Sequence, residues 1–112
     1  MNNRKFKLLI VDDESDLLEI LSARLEMNGY TIYSAVDGQQ ALDIISKETI
    51  DLVVTDVQMP LVSGVQLLEY IRGRDSNKPP VIFITGYSAI SLEQAYDKGV
   101  QAVFNNPIDF KY

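Results

Sequence analysis

Three aspartates stand where carboxylates can act together. Asp12 and Asp13 directly follow the apolar run Phe6 to Val11, and Asp56 is separated from the run Leu52 to Val54 only by Thr55. If those two runs are neighbouring strands of one parallel sheet, all three acids leave from the same carboxyl edge and converge in one cleft. Three like charges so close need a cation, and Mg²⁺ suits a site of a few carboxylates completed by water. The chain has no Cys and no His, which removes disulfides, thiolate sites and the commonest metal ligand and general base. A metal here is therefore a hard, oxygen-bound ion. For each acid alone a plainer reading stays open: Asp13 and its neighbours, with Ser15, can cap the helix that follows, and an acid after a strand often only begins a turn.

The elements that would position these acids follow from hydrophobic patterning. The runs Phe6 to Val11, Leu52 to Val54, Val81 to Ile84 and Ala102 to Phe104 lack polar alternation, as parallel strands covered on both faces should. Thr31 to Val36 is more mixed and suits an edge. Between the runs, helical spacing links Leu17, Leu18, Leu21 and Leu25, then Ala41, Leu42 and Ile45, then Leu67, Leu68 and Ile71, with a weaker fourth helix over Ile90 to Asp97. Asn28-Gly29, Asp37-Gly38, Pro79-Pro80 and Lys98-Gly99 punctuate the element ends. This β-α alternation predicts an α/β fold: a parallel sheet with right-handed crossovers and helices on both faces, with ligands gathering at the carboxyl ends of the strands.

At 112 residues and 46% apolar content, the chain is expected to form one domain spanning 1–112, with no repeat, linker or low-complexity tract. Its net charge of -6 argues against direct binding of nucleic acid or an anionic membrane, so proteins are the expected partners. No apolar run is long enough for a signal peptide or a membrane span, and a cytoplasmic location is expected.

Over nearly its whole length the chain resembles the receiver family of bacterial two-component response regulators. The matching residues are Asp12 and Asp13, Asp56 with Met59, Pro60 and Gly64 behind it, Thr85 at the end of the fourth strand, and Pro107. The resemblance implies a flavodoxin-like, doubly wound, five-stranded parallel sheet of order 2-1-3-4-5. It makes Asp56 the phosphoacceptor, gives Asp12, Asp13, Asp56 and the Gln58 backbone carbonyl to Mg²⁺, and has Thr85 hydrogen-bond a phosphoryl oxygen. It names a sensor histidine kinase or a histidine phosphotransfer protein as partner, and a domain that assists chemistry on itself without turning over an external substrate. The chemistry agrees: a carboxylate attacking phosphorus forms an acyl phosphate, whose developing charge needs a metal and hydrogen-bond donors. Gly64 is expected to adopt a backbone conformation denied to other residues, although it and Thr85 would pass singly for a turn glycine and a β-branched strand residue.

Departures from the family pattern cluster near the end of the chain. Asn106 stands where the family places a Lys that contacts the acceptor and the phosphoryl group, and Asn brings two amide donors on a short, uncharged stem. Val103 stands where a switching aromatic is usual, while Phe104 should face the opposite side of the sheet. The Asn106-Pro107 bond is expected to be cis, because the matching Lys-Pro bond is cis in the family. After Pro107 only Ile108 to Tyr112 remain, too few for a stable packed helix, so the final helix is expected to be absent or truncated. Apolar surface on the fourth and fifth strands should then stand uncovered, favouring self-association or lower stability. These departures keep a second function open, a phosphorylation-independent (pseudo-receiver) protein-binding module. A phosphatase with an aspartyl nucleophile is weaker, since Gln58 stands where such enzymes place a second acid, and no glycine-rich turn follows the first strand to admit a dinucleotide.

Overall fold

The computed structural model describes residues 6–59, 61–85 and 91–105. Asn106, the Asn106-Pro107 bond and the segment after Pro107, where a final helix is expected to be absent or truncated, lie outside the described residues, as do Pro60 and Ile90.

Nine elements alternate as β1 (Lys7–Val11), α1 (Ser15–Met27), β2 (Thr31–Ala35), α2 (Gly38–Lys47), β3 (Leu52–Asp56), α3 (Gly64–Arg74), β4 (Val81–Thr85), α4 (Leu92–Asp97) and β5 (Ala102–Asn105) among the described residues. The strands form one parallel sheet of order β2-β1-β3-β4-β5, the flavodoxin-like order, with the mixed strand β2 at an edge.

Strand pleating divides the apolar side chains between two layers. Leu9, Val11, Val53, Val81 and Phe83 join Ala41 of α2, Leu67, Leu68 and Ile71 of α3 and Ala95 of α4 in the main core, and Val103 packs against it. On the other face α1 covers β1, so Leu8 to Val11 are all buried, without alternation. Farther along the sheet no helix among the described residues continues that cover. β3 therefore alternates between buried Val53 and Thr55 and half-buried Leu52, Val54 and Asp56, a pattern the apolar run did not announce. A groove of about 520 Å³ opens there, lined among others by Leu8, Leu25, Val54, Ile82, Ile84 and Phe104. Phe104 is 50% exposed, on the side opposite Val103, as strand alternation requires.

The helices start where local chemistry allows. Asp37 caps α2 by accepting from the Gln40 N–H, and Ser63 with Gln66 and Ser91 with Gln94 form capping boxes on α3 and α4. Gly29 and Gly99 stop helices at positive φ of 91° and 101°, where a Cβ would be strained. At the amino ends of β4 and β5, the Arg72 guanidinium donates from Nε to the Gly99 carbonyl (3.0 Å) and from Nη1 to the Pro79 carbonyl (2.8 Å). The Lys78-Pro79 peptide bond is cis.

Candidate functional site

The site follows from register. Val11 of β1 pairs with Thr55 of β3, so the next residues, Asp12 and Asp56, emerge side by side at the carboxyl ends of adjacent strands. The Asp12 N–H donates to the Ala35 carbonyl at 3.1 Å, extending the ladder with β2 by one residue. Its carboxylate then accepts the Glu14 N–H at 2.9 Å and turns the chain into α1.

The capping alternative for Asp13 fails on this geometry. The N-cap of α1 is Glu14, whose side chain makes no cap hydrogen bond, and Ser15 is already helical. Asp13 is instead exposed at the mouth of a cluster in which carboxylate oxygens of Asp12, Asp13 and Asp56 lie within 4.8 Å of one another. A set of three carboxylates, without nitrogen or sulfur donors, can hold a hard divalent cation.

Crowding and partial burial leave a mark on the acids. Burial pushes the Asp12 carboxyl above its ordinary pKa, and Asp56, Asp13 and Glu14 push it the same way against the Glu14 N–H bond. Burial also raises Asp56, helped by the charges of Asp13 and Glu14 and opposed by the N–H groups of Gln58 and Val57. Glu14 is thus a fourth acid acting on the cluster, one that sequence reading did not single out. An acid next to an Asp-Asp pair at a strand end was the available signal.

Neighbouring residues fix the end of β3. Thr55 is fully buried, and its hydroxyl donates to the Asp56 carbonyl at 2.9 Å, with the Met59 sulfur 3.8 Å away. Gln58 follows in the exposed loop, where its N–H reaches the Asp56 carboxylate at 3.3 Å. Gly64 corrects an expectation. It has no positive φ and is an ordinary first residue of α3, and the need for glycine there is steric. A Cβ would run into the Asp56 carbonyl oxygen, while the Gly64 N–H donates to the Val57 carbonyl at 2.8 Å. Thr85 ends β4, one residue beyond Ile84, the partner of Asp56, and itself pairs with Asn105. The backbone thus brings position 85 to the acidic end of the sheet, while Asn106 lies outside the described residues.

Comparison with known proteins agrees with this layout. The family model described as Response regulator receiver domain matches residues 8–111. Among curated proteins, the chain is 38% identical over 97 residues to the probable transcriptional regulator ycf27 of Cyanidium caldarium, covering 87% of this chain and 36% of that protein. It is 35% identical over 105 residues to the transcriptional regulatory protein CpxR of Escherichia coli, covering 89% and 44% respectively. The chain therefore spans less than half the length of these relatives. Among solved structures, the response regulator protein TrrA of Thermotoga maritima, in complex with Mg(2+)-BeF, superposes with a TM-score of 0.82 at 28% identity over 95% of this chain and 90% of that one. On register, acid cluster and family match together, the chain belongs to the response regulator receiver domain family.

Proposed function

We propose that residues 1–112 form one receiver domain that works as a phosphoacceptor switch of a two-component phosphorelay, taking its phosphoryl group on Asp56 from a sensor histidine kinase or a histidine phosphotransfer protein. The observation that carries this reading is the gathering of Asp12, Asp13 and Asp56 within 4.8 Å at the ends of adjacent strands. In the proposed reaction, an Asp56 carboxylate oxygen attacks phosphorus, the phosphorus–nitrogen bond of the donor phosphohistidine breaks, and a mixed anhydride forms on Asp56. Asp13, Asp56 and the Gln58 carbonyl would hold Mg²⁺, with Asp12 acting largely through water. The bound ion supplies charge neutralisation to the phosphoryl oxygens. Thr85 would donate a hydrogen bond to the phosphoryl group, and Asn106 would offer an uncharged donor in place of the family's Lys. That the similar structure of TrrA was obtained in complex with Mg(2+)-BeF supports the reading that a domain of this fold takes Mg²⁺.

The relatives named as transcriptional regulators support an output by protein contact, in which this domain controls a partner or another part of a longer chain without itself touching DNA. No helix among the described residues is long and apolar enough to cross a membrane, and we place the domain in the cytoplasm, where its phosphodonors act.

A second reading, the phosphorylation-independent binding module, draws on Val103, which is packed against the core where a mobile aromatic would be needed, and on Asn106 in place of a Lys. Incubation with acetyl phosphate and Mg²⁺, followed by mass spectrometry, separates the two. A phosphoryl adduct that disappears in Asp56→Asn supports the switch, and an unmodified chain under saturating metal and donor supports the binding module.

A further inference from the structure

The loop between β3 and α3, which carries Gln58, is held by close backbone approaches at two points. At its far end Gly64 meets the Asp56 carbonyl, and the Gly64 N–H to Val57 carbonyl bond of 2.8 Å closes the loop on itself. The second approach comes from a different element. Gly38, the first residue of α2, lies so close to Val62 that a Cβ there would overlap both the carbonyl oxygen and the Cβ of Val62. Asp37 fixes this helix end in place by accepting the Gln40 N–H at 2.8 Å. Beside Val62, Leu61 sits at φ 70° with 77% of its surface exposed. A leucine gains nothing of its own from a left-handed backbone in water, so the neighbouring constraints impose that conformation.

We propose that Gly38 is a positioning residue of the acidic site: by admitting the start of α2 directly against Val62, it sets the path of the loop and thereby the placement of the Gln58 carbonyl. This rests on the Mg²⁺ reading given above. Because Val57 and Gly64 are tied to each other, a displacement of Val62 is absorbed by the residues between them, Gln58 included. Mg²⁺ is the ion most sensitive to such a shift, since it demands near-ideal octahedral geometry at short distances.

The test is Mg²⁺ titration by calorimetry on the full chain, at a temperature well below the melting point of every variant. Gly38→Ala should weaken Mg²⁺ binding about tenfold, the scale on which groups behind metal ligands act. Gly73→Ala, which places a methyl in open space on α3, should leave it unchanged. Val81→Ala, a core truncation at the amino end of β4, should lower the melting temperature without altering Mg²⁺ affinity, which separates positioning from general destabilisation. If Gly38→Ala does not fold, Val62→Gly loosens the same contact from the loop side and should weaken binding in the same direction. Mg²⁺ affinity equal to wild type in whichever variant folds overturns the proposal while leaving the metal site intact. Absence of saturable Mg²⁺ binding by the wild type sinks the metal reading and this inference with it.

Discussion

Asp12 and Asp56 emerge side by side after the Val11–Thr55 pair, and the charge of Asp56 adds to burial in lifting the Asp12 pKa. Both acids are raised above their ordinary pKa, with burial the first cause in each. The sign follows from linkage. Protonated carboxyls are favoured in the folded state, so their stabilising contribution is complete below the unfolded pKa and is lost as pH rises through the elevated folded values. In Mg²⁺-free buffer at pH 7, Asp56→Asn should therefore melt a few degrees above wild type, and the gap should close towards pH 3. Equal melting at pH 7 would show that burial of the charge costs the fold nothing.

Metal should reverse that cost. With Mg²⁺ at one hundred times its dissociation constant, the folded state gains about 2.7 kcal/mol by mass action. Asp13→Ala should abolish both saturable Mg²⁺ binding and the associated rise in melting temperature. Full affinity in Asp13→Ala would remove Asp13 from the site.

The two glycines of α3 should respond oppositely to alanine. At Gly73 there is open space, and alanine should stabilise the helix by about 0.5–1 kcal/mol. At Gly64 the added methyl meets the Asp56 carbonyl, and the loss should be about 1–3 kcal/mol or more, accompanied by slower acetyl-phosphate labelling. Chemical denaturation of the two variants side by side checks this, and similar values for both would mean that the approach of Gly64 to β3 is not a constraint.

Asn106 should favour metal over phosphate. A Lys ammonium about 5 Å from the acids would interact by roughly 3 kcal/mol per unit charge at an effective dielectric near 20, opposing Mg²⁺ and stabilising phosphoryl oxygens. Asn106→Lys is expected to weaken Mg²⁺ binding and to speed labelling at saturating metal. If neither changes, position 106 does not face the cleft.

The groove beside Phe104 should behave as a sticky surface. Wild type should bind a hydrophobic dye and scatter light increasingly with concentration, and Phe104→Ser should reduce both. A thermostable monomer that ignores the dye would contradict this.

That the strands run parallel, with Asp12, Asp13 and Asp56 at carboxyl ends, was legible because uninterrupted apolar runs alternating with helices mark such a sheet; the order that makes β1 and β3 neighbours came from the family resemblance, since no local pattern encodes it. Boundaries moved by a residue or two: β3 extends to Asp56, so this carboxylate ends the strand itself instead of following it. The roles of Gly38 and Gly64 were not legible, because a glycine needed for close approach looks the same in sequence as one needed for a turn. Ser63-x-x-Gln66 and Ser91-x-x-Gln94 were available as helix-start signals, but the side chains had to be seen reciprocally bonded to be told from chance. The Arg72 bond to Gly99 joins residues 27 apart in sequence, and no local pattern encodes it.

Those Arg72 bonds divide the molecule mechanically. One guanidinium clamps the entry of β4 and the entry of β5 to the last turn of α3, all at the end of the sheet away from the acids. The clamp acts as a fulcrum. With the amino ends of both strands held to α3, any displacement of β4 and β5 is expected to grow toward their carboxyl ends, where Thr85 pairs with Asn105.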